Sequence, residues 1–495
     1  MSGKLVEIPP RPSLADYEAI AHLAPAVEKL KERATRVVPR LAGRTVWMVN
    51  STAQGGGVAE MLPTMITHLN ELGIDTRWFV IETRDQEFFR LTKRIHNLIH
   101  GAGEGVLDLA NDRRTFEAVN ADNARTLAPL MRDGDVLVVH DPQPLPLAGL
   151  IRATRDVHTV WRCHIGLDES NAATRAAWRF LEEYGSAYER AVFSAKEYIP
   201  DFLRDRSRLI YPAIDPLSQK NRELHLHSVV GILSNAALIV PPGPVVQSPF
   251  PHIAQRLQAD GSWQPAVLPT DLGLLIRPVV TQISRWDRLK GWVPLLHGFA
   301  QLKERVYTER SGRPAIEHRR LRQVRLLLAG PDPVSVADDP EGLEVVEELR
   351  REYVALDDEL KQDVAMVALP MQNPDENALM VNALQRASTV VVQNSLREGF
   401  GLTVTEAMWK RIPVLSNRRA VGPRQQITHG CDGWLVDDPE NPEQIAEALD
   451  FLLNDRAERA ALARTAQRRA HDQFMIFSQL REWLDLLEGL VGSGA

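Results

Sequence analysis

Cysteine is nearly absent from this chain: Cys163 and Cys431 are the only two in 495 residues. Far apart and in different expected domains, they argue against a disulfide framework or a cysteine-based zinc site, and they fit a reducing cytoplasm. No uninterrupted apolar run reaches the ~20 residues that span a bilayer. The N-terminal MSGKLVEIPPRPSLADYEAI lacks the basic start and apolar core of a secretory signal. A soluble cytoplasmic protein is expected. Excess positive charge is also missing. The formal net charge is -7 and the sequence pI is near 6.1, so bulk charge gives no footing for nucleic acid. HExxH, an EF-hand loop and a histidine cluster at ligand spacing are all absent, so no essential metal is expected, although a diphosphate ligand could bring Mg²⁺ with it. The G-x-S-x-G elbow of serine hydrolases is absent too.

What is present is an ordinary globular composition, 44% hydrophobic and 25% charged, on a chain too long for a single core. Length alone suggests two to four domains. Two α/β halves stand out. The first starts with the strand TVWMVNST, then Gln54-Gly55-Gly56-Gly57, then an amphipathic helix carrying Val58, Met61, Leu62, Met65, Ile66, Leu69 and Leu72 on one face, ended by Gly73. Its further strands are DTRWFVIE, DVLVVHD and HTVWRCHIGL. The second half restarts at VVTQISRWD and continues through VRLLLAG, STVVVQNS, IPVLSN and GWLV, with helices between. Such alternation predicts mostly parallel sheets covered on both faces. The proline-rich stretch from His225 to Leu272 has no clean period and reads as an insertion or ordered linker. The expected division is an N-terminal Rossmann-like domain over 1–215, a linker or insertion over 216–274, a second Rossmann-like domain over 275–470, and a C-terminal helix over 471–495 that packs back on the first domain.

The stretch REGFGLTVTEAMWK, Arg397 to Lys410, carries the most information. Glu398 and Glu406 lie eight positions apart, and Gly399-Phe400-Gly401 turns directly after the first carboxylate. A strand precedes it and a helix opening at Thr403 follows, so Glu398 sits at the strand's C-terminal edge, where α/β sheets bind ligands. The helix start, with Leu402 and Thr403, favours phosphate through its N–H groups and dipole. One carboxylate could then take sugar hydroxyls and the other ribose hydroxyls. A purely structural alternative exists, because Thr403-x-x-Glu406 also has the pattern of a capping box.

Other candidates lie at strand ends. Arg285 and Lys290, in SRWDRLKG, could clamp a diphosphate and stabilise charge on a departing nucleoside diphosphate; the alternative is a solvated basic loop. Gly55-Gly56-Gly57 permits close approach of backbone to a ligand, or simply a tight turn. It lacks both the G-x-G-x-x-G spacing and a P-loop lysine. His140-Asp141-Pro142-Gln143-Pro144 and Trp161-Arg162-Cys163-His164 end two strands, and their histidines could bond a sugar or exchange protons.

Together these residues resemble the retaining glycosyltransferases of family 4, which have the two-domain GT-B architecture of doubly wound Rossmann-like domains facing a central cleft. The phrases NSTAQGGGVAE, HDPQP, WRCHI, IDPLSQKNRE, SRWDRLKG, DDPEG, QRAS and REGFGLTVTEAMWK are similar to the branch of trehalose glycosyltransferring synthases and trehalose phosphorylases. The resemblance implies that Arg285 and Lys290 bind the donor diphosphate, Glu398 the donor sugar and Glu406 the ribose. Gly56 and Gly57 would close over the donor, which Gly399, Phe400, Gly401, Leu402 and Thr403 would also bind. His164 would lie near the transferred sugar, with Asp141, Gln143 and Asn171 on the acceptor side. Catalytic work would fall to His164, Arg285, Lys290 and Glu398. The chain departs from the branch at Gly166 in HIGLDES, at Gly422-Pro423-Arg424, and in the central stretch.

The expected activity is therefore glucosyl transfer from UDP- or ADP-glucose to a small hydroxylated acceptor. Glucose, giving trehalose, leads; glycerol, glycerate or a related polyol follows, and a phosphorylase or a non-catalytic nucleotide-sugar-binding protein are the alternatives. The co-substrate is a nucleoside-diphosphate sugar, no cofactor is required, and a homodimer is left open.

Overall fold

A computed structural model describes residues 3–53, 57–102, 107, 110–241, 249–308, 315–333 and 340–492. The chain divides into two compact units, Met1–Ala213 with Phe474–Ala495, and Ile214–Gln473.

Among the described residues of the first unit seven strands form one sheet: β1 (Lys4–Leu5), β2 (Val46–Asn50), β3 (Thr76–Val80), β4 (Val136–His140), β5 (His158–Cys163), β6 (Arg190–Phe193) and β7 (Ser207–Leu209). The spatial order is β1-β3-β2-β4-β5-β6-β7, with only β1 antiparallel to its neighbour. β2 and β4 are buried at every position, as strands covered on both faces must be, which explains their unbroken apolar sequences. The helix Ile476–Val491 closes this unit against the helix Ala24–Val37, and Arg33 of that helix pairs with Asp485 and Glu488.

Among the described residues the second unit holds eight strands: β8 (Gln255–Leu257), β9 (Trp263–Pro265), β10 (Val279–Ile283), β11 (Arg325–Pro331), β12 (Val364–Leu369), β13 (Val390–Val392), β14 (Val414–Asn417) and β15 (Trp434–Val436). Their order is β15-β14-β13-β10-β11-β12-β8-β9. Within 216–274, a helix and a hairpin add ordered elements to this unit. β8 pairs antiparallel with β12 and with β9, extending the sheet by a hairpin, while the helix Leu226–Asn235 buries Val229, Ile232 and Leu233 in a core shared with Leu327, Val367 and Met380. The stretch lacks a readable period because its ordered pieces are one short helix and two three-residue strands, with a proline-rich run between the helix and β8.

The order of each sheet locates its ligand edge. Strand order reverses between β2 and β4 in the first unit and between β10 and β13 in the second. At such switch points the loops leaving adjacent strands diverge to opposite faces and open a crevice. The loops leaving β2 and β4 carry Asn50-Ser51-Thr52 and Asp141-Pro142-Gln143; those leaving β10 and β13 carry Arg285 to Lys290 and Gln393 to Gly401.

Candidate active site

In the second unit the two diverging loops meet through charge. Lys290 Nζ donates to Glu398 Oε2 at 2.7 Å, with both side chains mostly buried, 12% and 17% exposed. Gln393 Nε2 and Ser395 Oγ each donate to the same oxygen at 3.2 Å. Lys290 ends a single 3-10 turn, Arg288–Lys290, started by the Asp287 carboxylate accepting from Leu289 N at 2.8 Å. Gly291 follows with φ 62°, and a Cβ there would stand 2.2 Å from the Asn394 carbonyl oxygen, so only glycine lets the loops approach. Gln282, at the end of β10, ties both loops: its amide donates to Lys290 O and accepts from Asn394 N, each at 2.9 Å.

Arg285 is placed differently. Its side chain is 68% exposed and lies 3.8 Å from the Asp287 carboxylate. It shares the Lys290 loop without joining the buried pair.

The helix bearing Glu406 runs Leu402–Trp409, opening one residue earlier than expected. Its N-cap is Gly401 in the left-handed region, φ 81°, which has no side chain with which to cap. The Thr403-x-x-Glu406 capping box does not form: Glu406 is 5% exposed and accepts from Gln385 Nε2 at 3.2 Å instead. Left-handed glycine satisfies the turn, so the glutamate is free of the capping duty. Gln426 pins the preceding turn, its amide donating to the carbonyls of Phe400, Gly401 and Gly422. At Gly422 a Cβ would fall 2.3 Å from the Phe400 backbone. Its own N–H donates to Glu398 O at 3.1 Å.

In the first unit β4 and β5 bring His140, Asp141 and His164 together. His140 Nδ1 lies 3.2 Å from His164 Nε2, with the rings stacked. Burial, reinforced by the Arg162 guanidinium, pushes His140 down to about 3 and His164 well below its usual value, so both rings are neutral at pH 7. Asp141 adopts φ 63°, a left-handed conformation costing about 1 kcal/mol for a non-glycine residue. This turn aims Oδ1 at His164 N, 2.9 Å away. Burial raises the Asp141 carboxyl to about 6, opposed by that N–H and by Arg162. His140 Nε2, Arg162 Nη1 and Gln143 Oε1 are buried without a hydrogen-bond partner among the described residues, groups that a water, ion or ligand could satisfy.

A cavity of about 730 Å³ opens at the C-terminal ends of β2 and β3, lined by Ser51, Thr52, Glu82, Arg84, Phe89 and Gln143 among others. Its size suits a small ligand. Asn171 stands apart: its amide oxygen caps the helix Ala172–Gly185 by accepting from Thr174 N at 2.9 Å, and its nitrogen donates to Gly101 O at 3.0 Å. Both ends of the side chain serve local structure. Gly57 is exposed and begins the helix Gly57–Glu71, where a Cβ would meet nothing within 4 Å. Gly56 lies outside the described residues. Also among the described residues, no three His, Cys, Asp or Glu side chains gather as a metal-ligand group, and no helix is long and apolar enough to cross a membrane.

Sequence reasoning overlooked Glu82 and Arg84, which carry no motif. It also overlooked Gln385, Asn221, Gln393 and Gln426. Gln385 and Asn221 stood inside the matching phrases QRAS and SQKNRE, but an uncharged amide suggests no chemistry until its partners are known.

Residues 48–200 match the family model of the trehalose synthase N-terminal domain, and residues 275–469 match that of glycosyl transferases group 1. The chain is 33% identical over 481 residues to a trehalose synthase of Pyrococcus horikoshii, covering 97% of each chain. It is 26% identical over 453 residues to a trehalose phosphorylase of Pleurotus pulmonarius, covering 88% of this chain and 56% of that one. In fold it is similar to an alpha,alpha-trehalose-phosphate synthase (UDP-forming) of Burkholderia vietnamiensis, with a TM-score of 0.63 and 17% identity over 90% of this chain and 98% of that one. Two α/β units with switch-point loops of this composition, and full-length similarity above 30%, place the chain in one family: it belongs to the trehalose synthase branch of the group 1 glycosyltransferases, hexosyltransferases with the GT-B fold.

Proposed function

We propose that this trehalose-related glycosyltransferase moves glucose, with retention of anomeric configuration, from a nucleoside-diphosphate glucose to a small hydroxylated acceptor, glucose first among them. The observation that carries the donor side is the Lys290–Glu398 pair at the β10/β13 switch point. A lysine held by one carboxylate is rigid, and its remaining ammonium protons are aimed rather than mobile. In this reading Lys290 and Arg285 take the diphosphate, Glu398 the hydroxyls of the transferred glucose, and Glu406 the ribose. Gly399 to Thr403 supply the backbone beneath the phosphates. On the acceptor side, neutral His164 and the Asp141 carboxylate receive sugar hydroxyls, and the 730 Å³ cavity with Gln143 accommodates a monosaccharide.

The acceptor hydroxyl attacks C1 of glucose on the face from which the diphosphate departs. The new C1–O bond forms as the C1–O bond to phosphate breaks. The bonding pair leaves with the phosphate, whose oxygen takes the acceptor proton. Charge grows on the leaving group throughout, so fixed cations there speed the reaction as well as bind the donor. Similarity to trehalose phosphorylases supports a second reading, in which inorganic phosphate takes the diphosphate's place. Glu406 weighs against it, since a buried carboxylate has a use in binding ribose and repels phosphate.

Incubation with UDP-, ADP- and GDP-glucose and a panel of glucose, glycerol and glycerate, followed by NMR of the products, tests the proposal. An α-linked glucoside formed only with a nucleotide donor is expected. Absence of both transfer and donor hydrolysis across the panel would overturn it. Phosphate-dependent breakdown of trehalose without nucleotide-sugar binding would move the assignment to the phosphorylase.

A further inference from the structure

We propose that Lys410, acting through Gln385, is a positioning residue that orients Glu406 for the donor ribose. The inference rests on the reading of Glu406 as the ribose ligand. Lys410 Nζ donates to Gln385 Oε1 at 2.6 Å, and Gln385 Nε2 donates onward to Glu406 Oε2 at 3.2 Å. Asn221 Oδ1 holds the ammonium from the other side at 3.1 Å. Asn221 is itself tied to the same helix end, because Trp409 Nε1 donates to its carbonyl at 3.1 Å. All four side chains lie in the interior: Gln385 is 0% exposed, Asn221 4%, Glu406 5% and Lys410 8%.

The order of these groups is chemically dictated. An ammonium can only donate and a carboxylate can only accept, so a primary amide between them has one orientation, oxygen toward lysine and nitrogen toward glutamate. The relay therefore has no alternative hydrogen-bonding arrangement, which suits a carboxylate that must present its other oxygen in a fixed direction. A direct contact would be simpler, since Glu406 and Lys410 are four residues apart on one helix. Here, instead, the ammonium is drawn away from the carboxylate to the amide, leaving Glu406 paired by a neutral donor and still able to accept from hydroxyls. Burying a lysine is costly: desolvation lowers Lys410 to about 7, with Glu406 opposing that shift and Arg386 and Lys220 adding to it. A methionine would fill the same space without that cost. A cost retained at this position is explained by a positioning role.

Calorimetry on the full chain tests the relay. The probes are UDP, ADP and GDP, then the 2′,3′-dideoxy form of whichever binds. Loss of two hydrogen bonds to a charged group predicts that the wild type prefers the ribose form by about tenfold or more. Glu406→Gln is expected to bring that preference to within about twofold. Lys410→Met and Gln385→Met should narrow it likewise, and combining Lys410→Met with Glu406→Gln should narrow it no further. A purely structural lysine would instead weaken both nucleotides equally. Lys410→Met and Gln385→Met variants that fold and keep the wild-type preference, or lose both affinities in proportion, overturn the relay while Glu406 retains its role. A Glu406→Gln variant with undiminished preference overturns the ribose reading, and the relay with it. Should Lys410→Met fail to fold, Gln385→Met decides the question alone.

Discussion

Replacing Lys290 with methionine separates a catalytic cation from a structural one. Its ammonium is bonded to Glu398 at 2.7 Å, with the two side chains 12% and 17% exposed. Deleting one partner of a buried pair costs about 3–5 kcal/mol, and residual solvent contact puts this pair at or below the lower end, about 2–3 kcal/mol. Gln393 and Ser395 continue to donate to the orphaned carboxylate, so the variant is expected to fold with a lowered melting temperature. The kinetic effect is separate. Charge on the leaving diphosphate increases toward the transition state, so the lost ammonium is missed most there. One preorganised contact of this kind contributes about 10²–10³ in rate, or about 3–4 kcal/mol. The expected result is a fall in kcat of that size, with donor affinity weakened no more than about tenfold. Initial rates with saturating donor and acceptor, together with calorimetric donor binding on protein shown folded by circular dichroism, provide the comparison. A folded Lys290→Met enzyme with near-normal kcat would refute the reasoning and leave the pair as a structural link between two loops.

Three further outcomes are expected. Arg285→Ala, at a side chain 68% exposed, should leave the denaturation midpoint unchanged while weakening donor binding; unaltered binding would return Arg285 to the solvated surface. Gly422→Ala places a methyl 2.3 Å from the Phe400 backbone, so the turn after Glu398 must shift, at a cost of about 1–3 kcal/mol; denaturant melts and kcat should both show it, and a fully stable, fully active variant would contradict the packing argument. Asp141 has its carboxyl raised from 3.8 to about 6 in the folded protein, so between those values the native state holds more protons than the unfolded one. Its contribution to stability is present below about pH 4 and is lost as pH rises through about 6. Denaturation at pH 4 to 7 should show that slope flattened in Asp141→Asn, and an unchanged slope would mean that other groups set it.

Much of this protein is determined locally. β2, β4, β5, β10, β11, β13, β14 and β15 were all legible, because strands buried on both faces are dense in apolar and β-branched residues, and that density is visible without knowing their partners. The loops leaving the strands at the switch points were legible for a related reason: they carry glycine and charge, so Glu398, Lys290 and Asp141 stood out against their surroundings. The hairpin β8–β9 and the helix Leu226–Asn235 were not legible as part of the second unit, since β8 is placed by pairing with the distant β12 and β9 by pairing with β8. Pattern could not decide between a capping box and another role for Glu406; the left-handed Gly401, at the N-cap of a helix that opens one residue earlier than the sequence suggested, makes the box unnecessary. Only the tertiary structure could show that Asn171 is occupied as a helix cap, or that Gln385, 21 residues from Glu406, stands between it and Lys410. A sequence identifies groups that are chemically unusual in themselves. Neutral amides gain meaning only from what the fold sets beside them, because their hydrogen bonds are directional and their partners lie on other elements.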